Sequence, residues 1–230
     1  MAFDFFNRGR RREQDEGRVP PGQVVTQKFP VLHYGSVPKT DLSSWDFRVG
    51  GLVENPFTLS WNELQALPTK EVVADIHCVT RWSKLDTRWT GVPFSEIIRM
   101  ANPKPEAKFV MSKAENNFTA NAPLDVLTDE DVLLAYLFEG EPLDPEHGYP
   151  LRLVVPKRYF WKSAKWLRGS TSWPRTSPAS GRTRLPHERR PVEGRAIRHP
   201  YLVVAAASLV ISKWAVGLLR RPTPSPEPGQ

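Results

Sequence analysis

The sequence predicts an α+β fold, in which a mixed sheet is accompanied by short helices. Four apolar segments have the length and composition of strands, and short helical signals separate them without a regular strand–helix–strand alternation. The chain has 230 residues, of which 40% are hydrophobic. That length suits one or two domains and that apolar fraction is sufficient for a core, so we expect one domain without repeats.

The first half of the chain supplies two strands and two helices. Apolar periodicity predicts the strands, a serine–glutamate capping box predicts the start of one helix, and a proline suits the first turn of the other. In chain order these elements are a strand at Trp45–Val53, a helix from Ser60 to Leu67, a strand at Glu71–Ile76 and a helix from Pro93 through Met100.

The second half is richer in strands than in helices. Short apolar runs bounded by turn residues predict the strands. The expected elements are a strand at Lys108–Lys113, a helical turn at Leu124–Val126, an apolar run at Asp131–Phe138 that fits a strand or a helix, and a strand at Leu151–Val155.

The basic excess of the chain is confined to its C-terminal part. The formal net charge is +7, and the last 61 residues carry ten basic and three acidic side chains, so the preceding residues are balanced. A basic surface for nucleic acid is therefore not expected on the folded part, and the sequence contains no recognised nucleic-acid-binding motif.

Cys78 is the single cysteine of the chain and follows the predicted strand Glu71–Ile76. A lone thiol forms no intramolecular disulfide, and it lacks the paired spacing of a structural zinc site. Many such cysteines are simply small buried hydrophobes. Here polar groups crowd the thiol at a strand end, and a thiolate near Arg81 and His77 would serve as a soft metal ligand or a nucleophile. The local chemistry leaves both interpretations open.

A loop rich in cations and aromatic residues follows the last predicted strand, from which Arg152 projects. Cations, a hydroxyl and free backbone N–H groups can together hold a phosphate. A solvated basic loop is the ordinary alternative, although exposed loops seldom carry four aromatic residues. The loop contains Lys157, Arg158, Lys162, Ser163, Ala164 and Lys165, interleaved with Tyr159, Phe160, Trp161 and Trp166.

These segments resemble the molybdopterin-dependent sulfite oxidase family, in particular its small bacterial members that have no haem domain. The matching segments are HCVTRWS, WTGVPFSEII and HGYPLRLVVPKRYFWKSAKWLRG, and the similarity runs from about Pro20 to Gly169. The resemblance implies a sulfite-oxidase-type molybdopterin-binding domain with molybdopterin as its cofactor.

The resemblance also implies roles for particular residues. Cys78 would be the protein ligand of molybdenum and would take part in catalysis. Arg81 would orient an anionic or oxo-bearing substrate, although a structural salt bridge explains this residue equally well. The residues implied to contact the pterin and its phosphate are Arg152, Ser163, Ala164 and Lys165, with His147, His33 and Tyr34 as further contacts.

The sequence changes character after Gly169. Residues 170–200 contain scattered arginines, prolines and serines with little apolar periodicity, which is typical of disorder. A reading-frame change explains more, because synonymous codons exist for which a start one base earlier turns Ser170–Thr183 into a family-like continuation that begins Ile-Asp-Phe-Leu. We therefore expect a domain at 21–169, a flexible basic tail at 1–20, and a frameshifted, largely disordered tail at 170–230.

The apolar stretch Tyr201–Leu219 is long enough for a membrane span of ~20 residues. Lys213 near its middle would be costly there, and we interpret the stretch as translation past the original stop codon. At the other end, no apolar core follows the arginines at 8–12, as an export signal would require. We expect a cytoplasmic protein that does not use a membrane.

The sequence thus predicts a molybdenum-cofactor-dependent oxidoreductase that transfers an oxygen atom to or from a small sulfur-type or other oxo substrate. Its partners would be that small molecule and an electron-transfer partner, and no nucleic acid. Two alternatives remain open. One is a homologue that binds the cofactor but is inactive, and the other is an interaction protein anchored in the membrane through 201–219.

Overall fold

The structure, a computed structural model, describes residues 17–173 of the chain. Strands connected by short helices and loops dominate it, and the predicted α+β class is confirmed. The strands form two sheets where the sequence suggests one. The reason is that segments far apart in the sequence pair with one another, and such pairing leaves no local signature.

Residues 17–173 contain eleven strands and three α-helices. The strands are β1 (Val24–Val25), β2 (Asp46–Gly51), β3 (Phe57–Ser60), β4 (Lys70–His77), β5 (Trp82–Pro93), β6 (Phe109–Ala114), β7 (Thr119–Pro123), β8 (Leu133–Phe138), β9 (Glu141–Pro142), β10 (Arg152–Val154) and β11 (Leu167–Trp173). The helices are α1 (Trp61–Gln65), α2 (Phe94–Ala101) and α3 (Leu124–Leu127), and single 3-10 turns lie at Glu115–Asn117, Pro145–His147 and Phe160–Lys162.

The long strand β5 organises the first, six-stranded sheet. It forms an antiparallel hairpin with β4, pairs with β8 along its C-terminal half, and holds the short parallel β1 at its N-terminal end. β9 and β10 both pair with β8. The second sheet has the order β3-β2-β11-β6-β7, with β11 at its centre, parallel to β2 and antiparallel to β6.

Most predicted elements are present, with ends displaced by a few residues. The capping box forms as expected, because the backbone N–H of Ser60 donates to the Glu63 carboxylate and the backbone N–H of Glu63 donates to the Ser60 hydroxyl. The ambiguous run Asp131–Phe138 contributes the strand β8. The sequence does not predict β5, β7 or β11, since many of their residues are polar and pairing with neighbouring strands is what fixes them.

The first sheet is buried on both faces, because its strands contribute side chains to two hydrophobic clusters. One face contributes Leu134 and Leu153 to a large hydrophobic cluster shared with the second sheet, α1 and α2. The other face contributes Leu133 and Val154 to a smaller cluster around Trp89. Successive strand residues point to opposite faces, so two clusters arise from one sheet.

Ion pairs and strand pairing reach residues on either side of the predicted domain at 21–169, and the domain bounds themselves stay a prediction. Residues 17–20 belong to the folded unit, because the Arg18 guanidinium bonds the carboxylates of Asp75 and Asp86, each at 2.6 Å. At the other end, β11 continues for four residues past Gly169 to Trp173. Backbone hydrogen bonds suffice to extend a strand, whatever its side chains. The remaining parts of both predicted tails, including 201–219, lie outside the described residues.

No helix within residues 17–173 is long and apolar enough to cross a membrane.

Candidate active site

A pocket of about 310 Å³ opens at the end of the first sheet where β5 and β10 begin. Five segments that are distant in sequence line it: the chain after β1, the turn between β4 and β5, Phe118 just before β7, the approach to β10, and the loop between β10 and β11. Their convergence follows from the pairing of β1 and β8 with β5 and of β10 with β8.

The turn between β4 and β5 delivers Cys78 to this pocket. The backbone N–H of Cys78 donates to the Trp82 carbonyl at 2.8 Å, and the N–H of Arg81 donates to the Cys78 carbonyl at 2.9 Å. Arg81 closes the turn with a φ of 69°, in the left-handed region that non-glycine residues seldom adopt. Cys78 lines the pocket and is only 6% exposed, so its thiol is sheltered from bulk water.

The structure does not place the expected cations beside the sulfur. Arg81 is exposed and does not line the pocket, because its carbonyl accepts a hydrogen bond from the Val24 N–H and fixes it at the outer edge of the turn. The role of Arg81 in orienting a substrate stays a prediction, for a residue that lies outside the pocket lining. Burial lowers the pKa of His77, which leaves that imidazole neutral. The hydroxyl of Thr80 instead donates to the Cys78 sulfur at 3.1 Å.

A chain of side-chain hydrogen bonds supports the turn from its buried side. Gln23 Nε2 donates to the Cys78 carbonyl at 2.9 Å, and Gln23 Oε1 accepts from the Ser83 hydroxyl at 3.1 Å. The Ser83 hydroxyl has a single proton, so His77 Nδ1, at 2.8 Å from the Ser83 oxygen, must be the donor. The chain of bonds thereby sets the His77 tautomer and anchors the carbonyl of Cys78.

Arg152 is a buried cation in the wall of the pocket. Its guanidinium donates to the carbonyls of His147 at 2.7 Å and Ser163 at 3.0 Å and lies 4.2 Å from the centre of the Phe160 ring. The Nε–H is buried and has no hydrogen-bond partner among the described residues. Arg152 is 3% exposed, and this burial lowers its pKa to about 9. Among the described residues, the pocket lining contains no carboxylate that would balance this charge. The wall therefore favours the binding of an anion.

Lys165 adds a second cation to the same wall. Its ammonium donates to the Glu146 carbonyl at 2.6 Å and lies 4.6 Å from the centre of the Trp166 ring. Burial and then the charge of Arg152 lower the pKa of Lys165 to about 8. Ser163 and Ala164 lie between these cations in the lining, and the Ser163 hydroxyl accepts from the Val155 N–H at 3.0 Å.

The His147 ring forms another part of the wall and stacks on Phe29. The two ring centres are 3.8 Å apart and the ring planes are 6° from parallel. Burial and then the nearby Arg152 charge lower the pKa of His147. A neutral imidazole here can donate or accept a hydrogen bond without adding charge. Phe29 is half-buried and carries no sequence signal for this role, because it lies in a segment without periodicity.

His33 and Tyr34 lie at the mouth of the pocket. His33 Nδ1 is 2.8 Å from the Gly35 carbonyl, and Tyr34 is 68% exposed. Asn116 holds this segment in place, since its Nδ2 donates to the carbonyls of Tyr34 at 3.2 Å and Ser36 at 2.8 Å. Gly35 has a φ of 75° and lies so close to the Asn116 side chain that a Cβ would approach it to 2.8 Å.

The structure thus brings eight of the nine sequence-predicted site residues into one pocket and leaves Arg81 outside it. Sequence reasoning did not identify Gln23, Phe29 or the role of Thr80. Only Thr80 offered a signal, since it stands two residues from the thiol. The eight residues are His33, Tyr34, Cys78, His147, Arg152, Ser163, Ala164 and Lys165.

The residues present fit an anionic cofactor that carries a thiophilic metal. A sheltered thiol lies in the same pocket as a buried guanidinium whose Nε–H has no partner among residues 17–173. Two basic side chains offer charge-assisted hydrogen bonds of the kind that phosphate accepts. The backbone at Gly148 packs closely against the pocket wall, because a Cβ on Gly148 would lie 2.8 Å from the Cβ of Lys165. This is the class of site that holds a phosphate-bearing, sulfur-ligated metal cofactor.

Comparison with known proteins gives the family. The sequence model of the oxidoreductase molybdopterin binding domain matches residues 34–179. The oxidoreductase YuiH of Bacillus subtilis is 53% identical over 166 residues, which cover 72% of this chain and 83% of YuiH. The protein-methionine-sulfoxide reductase catalytic subunit MsrP of Xanthomonas axonopodis is 34% identical over 140 residues, which cover 54% of this chain and 43% of MsrP.

A solved structure agrees with the sequence relatives. The sulfane dehydrogenase SoxCD of Paracoccus pantotrophus superposes with a TM-score of 0.58 at 25% identity, over 65% of this chain and 42% of the SoxCD chain. The chain belongs to the oxidoreductase molybdopterin binding domain family and is an enzyme of the sulfite-oxidase type. Its cofactor is molybdopterin. This chain spans less than half the length of MsrP and SoxCD.

Proposed function

We propose that this protein catalyses oxygen-atom transfer on a small sulfur-type or other oxo substrate, with Cys78 as the protein ligand of molybdenum. The observation that carries the proposal is the shared pocket of the Cys78 thiol and the uncompensated Arg152 guanidinium. The bound cofactor supplies the redox and oxygen-transfer chemistry, while the protein supplies binding, orientation and electrostatics.

The chain's own groups divide this work between two sides of the pocket. Cys78, held by the hydrogen bonds of its turn, presents a soft sulfur ligand that suits a transition metal. Arg152 and Lys165 bind the phosphate end of the cofactor through charge-assisted hydrogen bonds. The Phe160 and Trp82 side chains line the pocket nearby and keep water from the sulfur.

The substrate side is the mouth of the pocket, where apolar and aromatic side chains predominate. Leu32, Tyr34 and Trp161 line it, and Leu32 is 56% exposed. A small, weakly charged sulfur–oxygen group suits such a surface, and the relative MsrP is named as a protein-methionine-sulfoxide reductase. Removing one oxygen atom from such a substrate as water consumes two electrons and two protons, so an electron-transfer partner is part of the proposal.

We further propose that the enzyme works in the cytoplasm. The chain has a single cysteine, as is common for proteins of a reducing compartment. Cell fractionation of the source organism tests this. Recovery of the protein with the exported or membrane fraction would contradict it.

The central test is metal content and turnover of the parent and the Cys78→Ser variant, both made in a host that produces molybdopterin. The parent should contain about one molybdenum per chain, as one thiolate ligand per metal implies. It should reduce methionine sulfoxide with a reduced dye or oxidise sulfite with an oxidised dye, and the variant should lose turnover. A parent that holds molybdenum but turns over neither substrate would favour the inactive homologue. Parental turnover in the Cys78→Ser variant would show that Cys78 is not the ligand.

A further inference from the structure

The hydroxyl of Thr80 contacts the sulfur of Cys78, whereas the other hydrogen bonds of the turn hold the Cys78 backbone. Its oxygen is 3.1 Å from the Cys78 sulfur and donates to it. Sulfur is a weak acceptor as a thiol but a much better one as a thiolate, because charge strengthens the bond. The contact therefore gains strength in the state in which a metal is bound.

The backbone of Cys78 is already fixed without Thr80. Its N–H donates to the Trp82 carbonyl, and its own carbonyl accepts from the Arg81 N–H and from Gln23 Nε2. Thr80 is exposed as a whole and lines the pocket, so little of the core depends on it. Its hydroxyl therefore acts on the direction and the electron density of the sulfur and not on the course of the chain.

We propose that Thr80 is a positioning residue that holds the Cys78 sulfur toward the pocket and tunes the bound metal through a hydrogen bond to the thiolate. This proposal rests on the proposed function, in which Cys78 is the metal ligand. Hydrogen bonds to a coordinating sulfur withdraw electron density from it and raise the reduction potential of the metal. Groups in this outer layer orient metal ligands and tune metal sites.

The first measurement addresses the hydrogen bond in protein without cofactor. Because the chain has one cysteine, the S–H stretching band in a Raman spectrum reports on Cys78 alone. Thr80→Val keeps the shape of the side chain and removes the donor, whereas Thr80→Ser keeps the donor. We expect the band to shift in Thr80→Val and to stay at the parental position in Thr80→Ser. An identical band in all three proteins would overturn the proposal.

The second measurement is the reduction potential of the molybdenum centre in the loaded enzymes. Thr80→Val should retain parental molybdenum content and show a lower potential, and Thr80→Ser should restore the parental value. Equal potentials in fully loaded parent and Thr80→Val would overturn the tuning role even if the S–H band shifts. A potential lowered equally in both variants would also overturn it, because the effect would then not follow the donor.

Failure of the proposed function gives a different result. If Cys78 is not the ligand, the Cys78→Ser variant turns over at the parental rate, and the potential is insensitive to every substitution at Thr80. A Raman shift in Thr80→Val would then identify a hydrogen bond that has no part in metal tuning.

Discussion

Two regions of this protein bury polar side chains, and their surroundings differ. In the pocket wall, Arg152 is nearly fully buried and donates to two carbonyls, and its Nε–H has no partner among the described residues. In the second sheet, Ser170 and Ser172 of β11 are each 5% exposed. Their strand partners include the apolar core residues Val49 and Val110.

The comparison teaches that burial of a polar group does not by itself mark a functional site. In the wall, polar groups from separate segments converge on a cavity and retain unused hydrogen-bonding capacity, which is the property of a binding site. On β11, the two serines point to the buried face of the second sheet, where strands usually contribute hydrophobic side chains. A reading-frame change at Gly169 would explain them, because the inferred frame has isoleucine at position 170 and phenylalanine at position 172.

The largest expected effect is on the wall. Arg152→Met should reduce molybdopterin retention by about tenfold or more, since a hydrogen bond to a charged group contributes on the order of 1.5–3 kcal/mol. The fold should be affected less, because burial of the Arg152 charge costs free energy in the cofactor-free protein, and removal of that cost offsets part of the loss of its bonds to the His147 and Ser163 carbonyls. Molybdopterin content at matched purity and thermal unfolding of cofactor-free protein measure the two effects.

Arg158→Met is the matched control for this prediction. Arg158 lies in the loop after β10 but does not line the pocket, and its guanidinium donates to the Lys157 carbonyl. It should retain parental cofactor content. Equal molybdopterin content in Arg152→Met and the parent would show that Arg152 has only a structural role. The pocket wall and β11 would then no longer differ in function.

The next effect in size concerns β11. Ser170→Ile combined with Ser172→Phe should raise the free energy of unfolding by about 2 kcal/mol, since full burial of each large apolar side chain contributes about 1.5–3 kcal/mol and overpacking removes part of it. For a chain of this size, that change corresponds to about 4–8 °C in Tm. Differential scanning calorimetry of cofactor-free protein measures it.

Thr171→Ile is the control, because its strand partners Gly50 and Met111 place it on the opposite face of the sheet. Thr171→Ile should raise the free energy of unfolding by less than half as much as the double variant does. A double variant less stable than the parent would mean that the two serines are packed as the fold requires, and it would remove the physical support for a frame change at Gly169.

A smaller effect is the pH dependence of anion binding in the wall. Lys165 has a pKa lowered to about 8 in the cofactor-free protein, so it is charged below that pH and neutral above it. Sulfate binding should therefore weaken several-fold as pH rises through about 8. Because the unfolded state binds more protons in this range, stability should rise between that pH and the ordinary lysine pKa of 10.5.

Calorimetric titration of sulfate across this range checks the prediction, since the charge of sulfate stays constant. In Lys165→Met, the pH at which sulfate affinity falls should shift upward, toward the Arg152 pKa of about 9. Binding that is independent of pH in the parent would show that neither cation meets the anion.

The smallest effect is on the support of the cysteine turn. Gln23→Leu removes two hydrogen bonds, each worth about 0.5–1.5 kcal/mol net, so stability should fall by about 1–2 kcal/mol. Amide hydrogen exchange in residues 78–81 should accelerate. Gln27→Leu is the control, because Gln27 is exposed and accepts from Lys84 through its backbone carbonyl. Equal changes in both variants would mean that Gln23 has no special hold on the turn.

Local signals predict much of the fold. The capping box at Ser60 and the apolar runs that contain β4 and β10 depend on residues within a few positions of one another, and the structure contains each of them. The strands β7 and β11 carry little apolar periodicity. β11 is a strand because β2 and β6 pair with it on either side, and β7 is a strand because β6 pairs with it along one edge. Their prediction requires the partner strands, which local sequence does not supply.

The same division applies to the site. Cys78 and Arg152 are recognisable from the residue types that surround them in sequence, and the pocket contains both. Arg81 stands three residues after Cys78, yet it has a left-handed φ and does not line the pocket. Phe29 has no sequence signal, yet its ring stacks on His147.

The residue types and their order fix the chemistry available to this protein: one thiol at the end of a strand, and a loop of cations and aromatic residues after another strand. The tertiary structure decided which of these groups meet. Pairing of β1 and β8 with β5 brings the segments around Phe29, Cys78 and Arg152 to one pocket, and Arg81 is not in its lining. The physical reason is that backbone conformation follows from near neighbours in the chain, whereas convergence follows from hydrogen bonds and burial between residues far apart in sequence.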